Sequence, residues 1–166
     1  MKSFHKGDNG KTFIRNCLAD KDELIVECMG ELDELNSFIG VIREELEFKD
    51  LDKILENIQN HIFEIGSCLH LKKNFNRENI GYLEKTADEF EKEIREIKKF
   101  IYPIGKIQYC RALCRRVERR FVALAKNNKE VDKNIIVYLN RLSDFLFIIG
   151  RVYNKRKKLE EKQWPP

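Results

Sequence analysis

Apolar residues recur at intervals of three and four along most of the chain, in five separate segments. This is the period of one face of an α-helix, and no segment shows a competing strand-like alternation. The predicted helices begin near Asp22, Leu51, Asn79, Ile107 and Asp132, the third keeps its pattern to Ile97, and the fifth runs to Lys155. The pattern therefore predicts an all-α fold, a five-helix bundle with the up-down packing of ferritin-like proteins.

The helical domain is expected to span residues 21–155, between an irregular segment (1–20) and a charged tail (156–166) that should fray. Turn-forming residues, Gly7 to Gly10, dominate the first segment. The fifth helix, "NIIVYLNRLSDFLFIIGRVYN", is apolar nearly all round. Such a helix is buried on most sides, and both the core of the bundle and a second subunit could cover it.

Chain length, net charge and the apolar runs exclude some classes of function. The 166 residues suffice for one domain with a real core, and the net charge of +4 is too small to indicate nucleic-acid binding. The N-terminus lacks the apolar run of a secretory signal, and "FLFIIGRVY" is interrupted by Arg151 and too short to span a bilayer. We therefore expect a soluble, cytoplasmic protein that binds neither nucleic acid nor a membrane.

The five cysteines, at 17, 28, 68, 110 and 114, have no disulfide or zinc spacing. Cys110 and Cys114 are one helical turn apart, and both lie on an apolar stripe. Buried free thiols in a reducing compartment are the favoured interpretation, and no protein-ligated metal site is predicted.

The segment "RALCRRVERR" (111–120) carries five arginines and one glutamate on the predicted fourth helix. Arg111, Arg115 and Arg119 follow one another at i, i+4 and i+8 beside the apolar stripe, with Glu118 on the same side. The remaining two arginines point elsewhere. A solvated basic face would produce this pattern, but repeated use of arginine instead of lysine favours planar contacts to carboxylate or phosphate.

Two polar groups interrupt apolar helix faces. Asn140, Ser143 and Asp144 lie within the apolar fifth helix, where a carboxylate must be paired or it would be neutralised. An arginine of the preceding helix is its expected partner. Asp33 and Asn36 share a polar edge of the first helix, which alone indicates a solvated flank.

The N-terminal segment "KGDNGKT" brackets two polar residues with glycines and continues with Lys11 and Thr12. Glycine lets backbone N–H groups approach a phosphate closely. The spacing is not that of a Walker A loop, so an anion-binding loop and a plain turn both remain open.

In their order along the chain, "GDNGKT", "DELNS", "RALCRRVERR" and "NRLSDFLF" resemble the PduO-type ATP:cob(I)alamin adenosyltransferases, from Lys6 to Asn154. The resemblance implies a five-helix bundle assembled as a homotrimer with active sites between subunits. It also implies transfer of the 5′-deoxyadenosyl group of ATP to the cobalt of reduced cobalamin, with release of triphosphate. ATP and cobalamin would be substrates, Mg²⁺ a cofactor, and a corrinoid reductase a partner.

The resemblance also assigns roles to individual residues. The loop over ATP would comprise Lys6, Gly7, Asp8, Asn9, Gly10 and Thr12, assisted by Lys21. The other ATP contacts would be Arg115, Arg116, Glu118, Arg119 and Asn140. Arg111 and Asp33 would pair across the subunit boundary, and Asp144 would hold arginine side chains in place. Phe100, in "FIYP", would crowd out the lower ligand of cobalt.

The chain departs from the family pattern on the corrinoid side, where Gln108 replaces a histidine and the loop after Pro103 is shorter. Two alternatives follow from the residues. One is a family member that binds ATP or corrinoid without turnover, as a sensor or carrier. The other is a helical interaction module with a basic face; Asp33 and Asp144 argue against it, because they would give the arginines internal partners.

Overall fold

Five α-helices make up most of the protein in a computed structural model, which describes residues 7–14, 17–128 and 130–165. They are α1 (Leu24–Glu44), α2 (Lys49–Leu71), α3 (Glu78–Glu91), α4 (Lys106–Asn127) and α5 (Lys133–Arg156). The predicted five-helix fold is thus confirmed. The predicted start of α5 is confirmed too, since the Asp132 side chain caps the helix by accepting the Asn134 N–H at 2.9 Å.

Helix α5 packs against both α3 and α4, and α1 lies between α4 and α2. The apolar stripe of α4 is buried from Ile107 to Leu124, and α5 buries residues all along its length, as its sequence predicts. Each fully buried leucine or isoleucine stabilises the fold by about 1.5–3 kcal/mol. The bundle core therefore fixes the polar residues that flank these stripes.

Four cysteines are buried and free, as expected, whereas Cys17 is exposed. Burial raises the pKa of both Cys28 and Cys110 to about 12. These thiols therefore stay protonated and serve as small apolar groups in the core. No described helix is long and apolar enough to cross a bilayer.

A β-hairpin replaces part of the expected irregular N-terminal segment, so the prediction of no strands was wrong. Strand β1 (Lys11–Ile14) pairs antiparallel with β2 (Cys17–Asp20), and Thr12 stands opposite Ala19. Each strand has only four residues, and neither "KTFI" nor "CLAD" alternates apolar with polar residues. The hairpin also leaves Phe13 and Leu18 exposed, so its pattern does not resemble a half-buried strand.

The third helix is shorter than predicted, because α3 ends at Glu91 and not near Ile97. Glu93 is held by α5: its carboxylate accepts from Arg156, and its main-chain oxygen accepts from Lys155. The chain from residue 92 to 105 then forms an irregular connection to α4.

The charged tail was expected to fray, and this was also wrong. Its main chain returns to the 92–105 connection, where Tyr102 N–H donates to Lys162 O (3.0 Å) and Trp164 N–H donates to Phe100 O (2.7 Å). Ile101 and Gln163 form an antiparallel bridge between these bonds. Backbone pairing was not visible in the sequence, because charged side chains say little about main-chain partners.

Candidate active site

The arginines of α4 divide into two groups, as the helical wheel predicts. Arg116 donates from Nε to Glu31 (2.6 Å) and from Nη2 to Glu34, and Arg120 pairs with Glu27 at 2.6 Å. The hydrogen bonds that Arg116 donates, first to Glu31 and then to Glu34, raise its pKa. These pairs fasten α4 to α1.

The carboxylates that hold these arginines are not the ones the sequence indicated. Asp33 and Asp144 were expected to supply the internal partners, but neither forms an ion pair within 4 Å in the described part of the chain. Sequence reasoning missed Glu27, Glu31 and Glu34. Their 3/4 spacing along one edge of the first helix was the pattern that could have revealed them.

The second group of arginines lies on the α4 face next to α5. Arg115 and Arg119 are exposed, and Arg119 Nη1 donates to Arg115 O at 3.1 Å. Asn140 Nδ2 donates to Glu118 Oε1 at 3.3 Å, so the structure brings these two predicted site residues together. This face therefore presents guanidinium groups with a fixed amide beside them.

Three more predicted site residues meet at a cavity of about 600 Å³ between the 92–105 connection, α4 and α5. Phe100, Arg111 and Asp144 line it together with Phe147. The Phe100 side chain is 81% exposed. The cavity thus combines apolar walls with one cationic and one anionic side chain.

Asp144 is exposed at this cavity, so its predicted burial in a helix-pairing salt bridge was wrong. The surrounding helix is buried on most sides, but the cavity reaches it at this position. Solvent at the cavity hydrates the carboxylate, which removes the need for a buried partner.

Gln108 is buried at the base of the same cavity, next to Gly150 of α5. A Cβ atom on Gly150 would lie 2.7 Å from Gln108 Nε2, which is too close for van der Waals contact. Gln108 Nε2 donates to Phe147 O at 3.4 Å. Gly150 is therefore what admits the glutamine side chain between α4 and α5.

Asp33 lies in a separate cleft between α1 and α2, lined also by Asn36, Phe63 and His70. Asp33 is exposed there, whereas the Asn36 side-chain oxygen is buried without a hydrogen-bond partner among the described residues. Asp33 and Arg111 thus line different cavities of one chain.

The N-terminal loop and Lys21 form a third group. Gly10 O accepts from Lys21 N–H at 2.8 Å, and Lys21 Nζ lies 2.9 Å from the position of a Cβ on Gly7. Thr12 and Lys21 line an open cleft together with Glu31 and Glu34. Asp8 and Asn9 are exposed at the turn, while Lys6 lies outside the described residues.

One further site feature had no counterpart in the sequence prediction. Arg151 of α5 is 5% exposed and pairs with Glu161 of the tail, with Nη2–Oε2 at 3.1 Å. Its guanidinium lies 5.9 Å from the centroid of the Phe147 ring, and the Arg111 guanidinium lies 5.3 Å from the same centroid. Arg151 drew notice in the sequence only as an interruption of an apolar run.

The chain is similar to known proteins in both sequence and fold. The family model described as cobalamin adenosyltransferase matches residues 3–153. A corrinoid adenosyltransferase of Bacillus subtilis is 38% identical, with 99% of this chain and 92% of that protein covered. The corrinoid adenosyltransferase MMAB of Homo sapiens is 34% identical over 86% of this chain and 64% of its own length.

The solved structures to which the chain is similar are also of corrinoid adenosyltransferases. A variant PduO-type ATP:corrinoid adenosyltransferase from Lactobacillus reuteri, complexed with cobalamin and ATP, superposes with a TM-score of 0.92. It is 26% identical and covers 99% of this chain and 96% of its own. A second variant of that enzyme, complexed with ATP, has a TM-score of 0.88 at 27% identity, covering 96% of this chain and 98% of its own.

Proposed function

The chain belongs to the cobalamin adenosyltransferase family, and we propose from this that it transfers the 5′-deoxyadenosyl group of ATP to a reduced corrinoid. Cobalt(I) attacks C5′, the C5′–O bond breaks, and its electron pair leaves with triphosphate while cobalt becomes cobalt(III). The observation that carries the proposal is the placement of Arg111 on the same helix as Arg115 and Arg119. Arg111 lines the cavity of Phe100, while the other two form the exposed arginine face.

The arginine face is suited to the leaving group. Triphosphate leaves readily only when its charge is neutralised, and Arg115 and Arg119 supply donors without transferring a proton. Asn140, held by Glu118, orients the nucleotide beside them. We assign Arg116 to holding α4 on α1, because its guanidinium is already engaged by Glu31 and Glu34.

The loop of Gly7 to Gly10, with Thr12 and Lys21, would fold over the nucleotide. Its main chain is joined to Lys21 in the structure, which keeps the lysine beside the loop. The described residues contain no cluster of three or more His, Cys, Asp or Glu side chains that could cage a metal ion. A Mg²⁺ ion would therefore be held mainly by the triphosphate, where it supplies further charge neutralisation.

On the corrinoid side, the exposed Phe100 ring would occupy the lower face of cobalt. A corrinoid without its lower ligand is more easily reduced to the nucleophilic state. Asp144, at the same cavity as Arg111, would set the position of that guanidinium. Alignment of C5′ with cobalt is then a proximity effect, and no side-chain nucleophile is required.

We further propose that the site is completed by a second copy of the chain in a homotrimer. Asp33 and Arg111 line different cavities of one chain, so a pair between them would join neighbouring subunits. We also propose that the protein acts in the cytoplasm, because its buried free thiols fit a reducing compartment. A corrinoid reductase would be its partner, because the reaction needs cobalt(I).

The activity is tested by incubating the protein with ATP, Mg²⁺ and chemically reduced cobalamin. The corrin spectrum should change to that of adenosylcobalamin, with one triphosphate released per product. Arg115→Ala should abolish most of the change, and Arg77→Ala, at an exposed arginine outside α4, should not. An unchanged spectrum with stoichiometric enzyme would reject the activity.

The shared site is tested by complementation. Asp33→Ala and Arg111→Ala should each be inactive alone, whereas co-expression of the two should restore activity. Mixed trimers contain some interfaces in which both residues are intact. Sedimentation should give three times the 19.8 kDa chain mass. If mixed subunits stay as inactive as each variant, the two residues do not meet across an interface.

A further inference from the structure

The connection that carries Phe100 has little structure of its own. Among the described residues, the backbone hydrogen bonds of residues 95–104 to other main-chain groups are the two made with the tail. One holds Tyr102 through Lys162, and the other holds Phe100 itself through Trp164. A segment with so few internal bonds takes its position from whatever it is tied to.

The tail also pairs with Arg151 of α5, whose guanidinium contacts the cavity residue Phe147. Glu161 accepts from Arg151 at both carboxylate oxygens, from Nε at 3.2 Å and from Nη2 at 3.1 Å. Arg151 Nη2 also donates to Arg95 O at 2.8 Å. Because Arg151 is 5% exposed, loss of this carboxylate would leave a buried cation without its ion-pair partner.

Arg151 and Arg111 then share one aromatic ring. Both guanidinium groups lie within 6 Å of the Phe147 ring centroid, and Phe147 lines the cavity with Phe100. A ring in contact with two cations is restricted in its rotamers, so the position of Arg151 affects where Phe147 and Arg111 lie.

We propose that tail residues 161–164 position the corrinoid-side walls of the active site: Lys162 and Trp164 fix the Phe100 connection, and Glu161 fixes Phe147 through Arg151. These are positioning residues, since they act through others. The inference rests on the proposed function, because it assigns the cavity of Phe100 to the corrinoid.

Kinetics separate this role from general stability. Glu161→Gln, and a chain that ends at Glu160, should raise the KM for corrinoid about tenfold or more, while the KM for ATP stays within about twofold. Glu161→Asp keeps the charge and should recover part of the loss. The matched control is Asp50→Asn, which removes a carboxylate from Arg156, another α5 arginine, at a site on α2 that does not line the cavity. It should lower the melting temperature and leave both KM values unchanged.

A second readout does not depend on turnover. Trp164 is the one tryptophan of the chain, and it lies on the tail beside Phe100. Corrinoids absorb where tryptophan emits, so hydroxocobalamin should quench Trp164 fluorescence. Glu161→Gln should need a higher hydroxocobalamin concentration for half quenching, and Asp50→Asn should not.

The outcomes of these experiments distinguish failure of the positioning role from failure of the proposed activity. An active enzyme whose Trp164 is not quenched, or whose two KM values change together in Glu161→Gln and Asp50→Asn alike, overturns the positioning role and leaves the activity standing. A full-length chain that neither converts nor binds corrinoid overturns the proposed activity itself, and the positioning role with it.

Discussion

The Arg111 guanidinium lies over the ring of Phe147, 5.3 Å from its centroid. Its Nε is buried and has no hydrogen-bond partner among the described residues. The ring therefore holds the plane of the guanidinium, a contact worth about 0.5–2 kcal/mol. An arginine positioned in this way keeps its charge available for a group that enters the cavity.

Replacing Arg111 by lysine tests this geometry, because the charge is kept and the planar group is lost. We expect Arg111→Lys to lower kcat/KM about hundredfold, since a misplaced contact near the reacting atoms has effects of this size. Melting followed by circular dichroism should change little. A lysine variant as active as the parent would show that charge alone suffices.

Arg115 and Arg116 are adjacent but should behave oppositely. Arg115→Ala should raise the KM for ATP without changing stability, because Arg115 is exposed on the arginine face. Arg116→Ala should destabilise the fold by about 1 kcal/mol, because it leaves Glu31 and Glu34 without their cation. Urea unfolding and steady-state kinetics on both variants check this, and equal effects on ATP binding would contradict the division.

Gly150→Ala should reduce stability despite placing a better helix former in α5. Because Gln108 is 5% exposed, its side chain has little room to move away, and the steric cost of about 1–3 kcal/mol exceeds the propensity gain of about 1 kcal/mol. Removing the obstructing side chain with Gln108→Ala should relieve the cost. A double-mutant cycle by urea unfolding should therefore show the pair more stable than the sum of the singles.

His61 should make stability depend on pH. Burial lowers the pKa of His61, whose Nδ1 lies 3.0 Å from Tyr138 Oη. Above about pH 6.5 the imidazole is neutral in both states and the full stability is present. As the pH falls below that value, the unfolded chain binds the proton first, and the free energy of unfolding decreases by up to about 1.4 kcal/mol per pH unit until the folded pKa is reached.

The measurement is urea unfolding between about pH 5 and about pH 8. His61→Gln should flatten the curve. A slope that survives His61→Gln would assign the dependence to other groups.

Much of the fold was predictable because the spacing of apolar residues along a helix is a local property of the sequence. The stripes of α4 and α5 and the cap at Asp132 depend on neighbouring residues alone, and the structure agrees with them. The four-residue strands of the hairpin do not alternate apolar with polar residues, so the sequence did not indicate them. The end of α3 depends on Glu93 being held by Lys155 and Arg156, which are distant in sequence.

The candidate site was also predictable only in part. The separation of Arg116 and Arg120 from the other arginines follows from helix geometry and was predicted. Which carboxylates hold them depends on how α1 docks on α4, and this docking is a tertiary property. The exposure of Asp144 depends on a cavity formed by three separate segments, so no local pattern indicates it.

The pairing of Trp164 with Phe100 also bears on the order in which the protein is made. Residues 161–164 follow all five helices in the chain, so they are the last of these segments to leave the ribosome. A nascent chain can thus bury its core and fasten α4 to α1 before the corrinoid-side connection acquires its final position. A reactive cobalt(I) species would meet a complete cavity only after residues 161–164 have joined the Phe100 connection.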